Sequence, residues 1–131
     1  MASHRLDGKV ALITGSDSGI GHAAAVEFAR EGADVAVHYL DDVNGAHRTR
    51  EAIEAEGRRA VVLQCDVSEE SQVETMFDAA VQAFGTLDIL MNNAGVDASG
   101  AKVTELATEV WDKAIRTNVY GYFFCCRRFA R

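Results

Sequence analysis

Four short apolar runs punctuate the chain, and after each of the first three comes a longer stretch in which apolar residues recur every three or four positions. Val10-Ala11-Leu12-Ile13 contains no polar side chain, as a strand buried on both faces requires. Ile20, Ala24 and Phe28 then fall on one face of a helix that Gly32 ends. Val35 to Tyr39 reads as a second strand, followed by a charged helix from about residue 43 to 56 that stops at Gly57, and Ala60 to Gln64 as a third strand. Ser68 is a plausible N-cap, with Glu69 and Glu70 in the first turn of a helix that buries Val73, Met76, Phe77, Ala80 and Phe84 and ends at Gly85. Leu87 to Met91 makes a fourth strand; a polar loop then leads to helical stretches near residues 105 to 115 and from about 117 onward. Trp111, with Val110 and Ile115, is expected to turn an apolar face inward.

Strands alternating with helices predict right-handed crossovers and a parallel sheet with helices on both faces, ordered 3-2-1-4. The fold class expected is therefore α/β, a doubly wound parallel sheet, in one domain spanning 1–131. There is no proline, no internal repeat and no linker-like segment to divide it.

Composition narrows the function classes. A 48% apolar chain can build a core, and a net charge of −7 without a basic cluster argues against nucleic acid as a partner. Cys65, Cys125 and Cys126 lack zinc-like spacing, and the last two are sequence neighbours unsuited to a bridge, so reduced thiols are expected. No apolar run approaches the ~18 residues of a membrane span. A soluble, cytoplasmic protein is the expectation. The four histidines are scattered, and no metal site is expected. Arg127, Arg128 and Arg131 read as a solvated helix face.

The chemistry concentrates where the first strand meets the first helix, at Thr14-Gly15-Ser16-Asp17-Ser18-Gly19-Ile20-Gly21. Gly15 suits the tight turn, Gly19 a close approach of backbone to a diphosphate, and Gly21 close packing of helix on strand. The N–H groups of the first helical turn and the positive end of its dipole would then face phosphates. A Walker-type loop is excluded because His22 follows Gly21 and no Gly-Lys-Ser/Thr is present. Asp17, whose charge would repel a phosphate, is expected to point away and to bond local backbone N–H groups.

The Thr14 to Gly21 motif, Asp66-Val67, Asn92-Asn93-Ala94-Gly95 and Asn118, in that order, resemble the short-chain dehydrogenase/reductase family over essentially the whole chain. Asp17 to Gly21 and Gly45 to Thr49 are similar to members labelled glucose dehydrogenase-like or 3-oxoacyl-carrier-protein-reductase-like. The resemblance implies a Rossmann-type sheet, here truncated after the fourth strand and the helices that follow. It implies a nicotinamide dinucleotide held by Gly15, Ser18, Gly19, Ile20 and Gly21, with Asp66 accepting from the adenine amino group and the Val67 backbone beside the ring. Asp66 is also well suited to capping the next helix, and the two roles can coexist. Asn93, Ala94 and Gly95 would face the adenosine ribose, and Asn92 would tie its strand to the neighbours.

NAD and NADP differ at the end of the second strand. The general rule nominates Asp41 or Asp42 for the ribose hydroxyls of NAD. Aligned by register with the family, Tyr39 instead occupies the acid position and His38 precedes it, which removes the repulsion against a 2′-phosphate and favours NADP.

The family's reaction is hydride transfer between the nicotinamide and a carbonyl or alcohol, with a tetrad of Asn, Ser, Tyr and Lys. Of these the resemblance supplies only Asn118, for which a backbone-bonding role at a helix irregularity is the alternative. Tyr39, Tyr120 and Tyr122 are followed at the fourth position by Val43, Phe124 and Cys126, so none belongs to a Tyr-x-x-x-Lys pair. A phenol of pKa about 10 needs such a lysine to act as a base near neutrality. Three readings follow: the cofactor half of an oxidoreductase acting on a small carbonyl or alcohol, a dinucleotide-binding module without turnover, or a fragment acting through self-association. An uncovered fourth strand and the aromatic terminal helix would promote homo-oligomers or aggregation.

Overall fold

The computed structural model describes residues 4–131; the first three residues of the polar start, Met1 to Lys9, lie outside it. Four parallel strands, β1 (Val10–Ile13), β2 (Asp34–Tyr39), β3 (Ala60–Gln64) and β4 (Ile89–Met91), form one sheet in the order β3-β2-β1-β4. The helices are α1 (Gly19–Arg30), α2 (Val43–Ala55), α3 (Glu70–Phe84), α4 (Thr108–Ile115) and α5 (Gly121–Ala130). A single π-helical turn, Arg116–Tyr120, joins the last two. The predicted doubly wound sheet and its strand order are those observed.

The period-two alternation of the strands divides the core in two. Ile13, Val35 and Val37 face α1 and α2, where Ala25, Ala29, Ala46 and Ile53 meet them. Leu12 and Ala36 face the other way, onto Val73, Met76, Phe77 and Ala80 of α3 and Cys125 of α5. All four residues of β1 are buried, because it is covered on both faces and paired on both edges. Gly32, Gly57 and Gly85 take positive φ just past the helices they were expected to end.

Charge is placed where the sheet begins. The Asp34 carboxylate, with a side chain only 8% exposed, meets both Arg58 and Arg59 at 3.1 Å and also accepts from the Arg59 backbone N–H. Asp88 accepts from the Val10 N–H at 2.9 Å through its side chain while its own N–H donates to the Val10 carbonyl. That exchange shortens β4 to three residues where five were expected.

Three further expectations are corrected. Ser68 does not cap α3: its hydroxyl donates to Asp66 Oδ1 at 2.6 Å, and Glu69 stands at the cap position without a side-chain bond. Trp111 and Val110 do not turn inward; they are 57% and 45% exposed, and no residue of α4 is buried. The arginines of α5 are not a solvated face either. Arg128 bridges Glu74 and Asp78 of α3 at 2.9 Å each and lies over the Phe77 ring, and Arg127 pairs with Glu70. They bind α5 to α3, because the acidic residues of α3 line the face on which α5 lies. Among the described residues no helix is long and apolar enough to cross a membrane, and Cys65, Cys125 and Cys126 are free thiols.

Candidate functional site

A cleft of about 470 Å³ opens at the carboxyl ends of the strands, where an open α/β sheet offers its ligand crevice. The loop after β1 forms one wall. Gly15 sits at φ +64, and a Cβ on it would stand 2.9 Å from Ala94 Cα. Gly21 is tighter still: a Cβ there would overlap the Gly15 carbonyl and the Asn93 amide. The loop, α1 and the segment after β4 therefore pack closely, with no room for a Cβ at Gly15 or Gly21.

Thr14 binds these elements together. Its Oγ1 accepts from the N–H groups of both Asn93 and Ala94 at 2.9 Å, and its own N–H donates to the Met91 carbonyl at 3.0 Å. Asn93 Nδ2 returns a bond to the Gly15 carbonyl at 3.2 Å. Thr14 and Asn93 thus make the tie expected of Asn92. The Asn92 amide donates only to Cys126 Sγ, and its Oδ1 is buried without a partner among the described residues.

At the mouth of the loop, Ser18 begins α1 in extended conformation and its side chain makes no capping bond. No acidic residue occupies the first turn, and no described group accepts from the N–H of Gly19, Ile20 or Gly21. Gly19 and Ile20 border the cleft, so their two N–H donors and the positive end of a twelve-residue helix are left beside it. Such a helix start can cradle an anion.

The far wall comes from the loop after β3. Asp66 lines the cleft and its Oδ1 accepts from both the N–H and the hydroxyl of Ser68, so local bonding and a place in the site coexist. Val67 lines the cleft too, packed beneath Gly121 of α5.

Of the residues singled out in the sequence, Gly15, Ser18, Gly19, Ile20, Asp66, Val67, Asn93, Ala94 and Gly95 all border this one cleft. Gly21 lies behind the loop as a packing point. Tyr39 does not border it: alternation along β2 turns it with Val35 and Val37 toward α1 and α2, and Leu40, Asp41 and Asp42 reach the cleft instead. Asp17 borders the cleft and its carboxylate accepts no hydrogen bond from a described residue, against the expectation that it would point away and bond backbone.

Asn118 sits in the π-helical turn, and both ends of its amide are spent on Val96: Oδ1 accepts from the N–H and Nδ2 donates to the carbonyl, each at 2.9 Å. It fastens the chain leaving Gly95 to the helical pair. Its neighbour Thr117 borders the cleft. The largest omission of the sequence reading is the depth of His38, whose ring lies under the loop; counting alternate positions from Tyr39 would have turned it toward Leu12 and Ala36.

A family model described as short chain dehydrogenase matches residues 9–131. An uncharacterized oxidoreductase, YhdF, from Bacillus subtilis is 43% identical over 126 residues, which is 96% of this chain and 44% of that protein. Glucose 1-dehydrogenase 2 of the same organism is 42% identical over 118 residues, 90% of this chain and 46% of the relative. A crystal structure of a short chain dehydrogenase from Burkholderia cenocepacia in complex with NADP superposes with a TM-score of 0.92 at 38% identity, over 97% of this chain and 51% of that one. The chain spans about half the length of the relatives it matches.

Proposed function

The chain belongs to the short-chain dehydrogenase family, and from that premise we propose that its cleft holds the adenosine and diphosphate of a nicotinamide dinucleotide. The observation that carries this reading is the uncapped start of α1, whose unpaired N–H groups meet the cleft beside a loop with no room for a Cβ at Gly15 or Gly21. The bound dinucleotide would supply or accept the hydride exchanged with a small carbonyl or alcohol. The residues present would hold it: Ser18, Gly19 and Ile20 at the diphosphate, Asp66 and Val67 at adenine, and Asn93 to Gly95 along the ribose.

NADP is the form proposed. The Burkholderia relative is described with NADP, and Arg48 on α2 places a cation 3.9 Å from Asp42 at the margin of the cleft. Asp41 and Asp42 favour the second form, NAD, because a carboxylate accepts from a ribose hydroxyl and repels a 2′-phosphate.

Among these 131 residues no Tyr-x-x-x-Lys pair is present to move the proton. The chain alone should therefore bind without turnover, whereas a longer form with Ser and that pair would reduce carbonyls or oxidise alcohols. Exposed Val119, Tyr122 and Phe123 on the last helical run favour pairing with a second copy. Titration with NADPH and with NADH, followed by nicotinamide fluorescence, tests the reading. Saturation with tighter NADPH binding is expected; flat responses to millimolar ligand reject the site, and robust alcohol oxidation by the chain alone rejects the assignment of the proton chemistry elsewhere.

A further inference from the structure

The His38 imidazole lies beneath the loop, only 2% exposed, and the proposed contacts to the dinucleotide make no use of it. Its Nδ1 is 2.8 Å from the Gly15 backbone nitrogen, and its Nε2 is 2.7 Å from the Cys65 carbonyl oxygen. A backbone N–H can only donate and a carbonyl can only accept, so the ring must be neutral with its proton on Nε2. The backbone of His38 is tied to the same loop: its N–H donates to Ser16 Oγ at 3.0 Å, and its carbonyl accepts from the Ser16 N–H at 3.1 Å. One residue therefore holds two successive residues of the loop after β1 and the last residue before Asp66.

We propose that His38 is a positioning residue for the dinucleotide: its ring keeps the Gly15 N–H turned inward and fixes the loop after β1 to the loop after β3. The diphosphate wall and the adenine wall of the cleft are thereby held at a set spacing. The proposal rests on the dinucleotide reading of the cleft. A core histidine with no such role would need burial but not one ring nitrogen committed to each wall.

The charged groups facing the ring are Asp17 from the loop after β1 and Asp66 from the loop after β3. Burial holds the imidazole below its ordinary pKa despite the bond to Cys65 and the pull of these two carboxylates toward the charged form. The neutral ring demanded by the hydrogen bonds is also the one its surroundings favour.

Two measurements test this. Nitrogen-15 NMR of the ligand-free chain should show His38 as the neutral Nε2–H tautomer at neutral pH. Calorimetry with ADP-ribose at mildly alkaline pH should then compare wild type, His38→Leu and His38→Asn. The Leu variant leaves the Gly15 N–H without an acceptor, and its affinity should fall about tenfold or more. The Asn variant, whose Oδ1 is spaced from Cβ as Nδ1 is, should recover most of that loss. A ring protonated on Nδ1 overturns the proposal, and so does a Leu variant that binds like wild type or an Asn variant that rescues nothing. If the Leu variant fails to fold, the ring signature and the Asn variant decide. A wild-type chain that binds no ADP-ribose sinks the dinucleotide reading and this proposal with it, and that control separates the two failures.

Discussion

The region from β1 to Asp66 and the region from β4 to α5 use the same kinds of residues to opposite effect. In the first, β1 and β2 are buried almost throughout, and every element around the cleft is tied by short hydrogen bonds through Thr14, Ser16 and His38. In the second, β4 is three half-buried residues, α4 buries nothing, and Trp111, Tyr122 and Phe123 stand exposed. The contrast shows where this chain closes on itself. The first region buries its central strands and joins its loops by hydrogen bonds, while its edge strand β3 leaves one side unpaired as β4 does; what sets the second region apart is its exposed aromatic rings, which stabilise a protein only when something covers them.

The most forceful way to break the first region is at Gly21. A Gly21→Val side chain would have to occupy the space of the Gly15 carbonyl, so the loop must move, at a cost above the usual overpacking range of about 1–3 kcal/mol. Urea unfolding should show that loss, and ADP-ribose binding should vanish. Next comes Thr14→Val, which keeps the shape but leaves the N–H groups of Asn93 and Ala94 without their acceptor. About 1–3 kcal/mol of stability should be lost per stranded donor that water cannot reach, read by the same unfolding curves.

Alkali tests the seam between the regions, because Cys65 belongs to one and Cys125 to the other. Burial pushes both thiols up, each from 9.0 to about 12. A raised thiol pKa means that the unfolded chain ionises first, so stability is lost as pH rises through the ordinary thiol range and goes on falling toward about 12. One unit above the ordinary value, each thiol should cost about 1 kcal/mol, and Cys65→Ala and Cys125→Ala should each remove half of the alkaline slope. A slope unchanged by either variant would mean that the buried thiols are not its source.

Mild acid acts on the first region through His38. With its native pKa lowered by burial, the unfolded chain takes up a proton that the native ring refuses. Stability present above about pH 6.5 should therefore decline as pH falls below it, and His38→Asn should flatten that decline. The smallest effect is expected in the second region. Phe123→Ser and Trp111→Ser should change unfolding free energy by no more than about 0.5 kcal/mol while reducing self-association in sedimentation velocity. A large loss of stability in either variant would mean that these rings are already covered.

The strand runs, the glycines that end helices and the order of the sheet could be read from the chain because they are local or nearly so. Periodicity marks the buried face, and a positive φ calls for glycine. The glycine loop was legible for the same reason, since Gly15, Gly19 and Gly21 lie within seven residues of one another. Contacts between residues far apart in the sequence were not. Nothing near Asn118 announces that Val96 will take both ends of its amide, nor does the sequence of α5 show that Arg128 will meet two acids of α3.

The sequence by itself determined a parallel α/β sheet with a glycine loop at its carboxyl edge, because apolar period and glycine placement are properties of neighbouring residues. Only the tertiary structure decided which side chains serve that edge. It turned Tyr39 away and His38 beneath the loop, gave Asn118 to Val96, and made Thr14 the link between β1 and the segment after β4. A hydrogen bond is satisfied by whatever group folding brings within about 3 Å, and that group is set by the packing of the whole sheet.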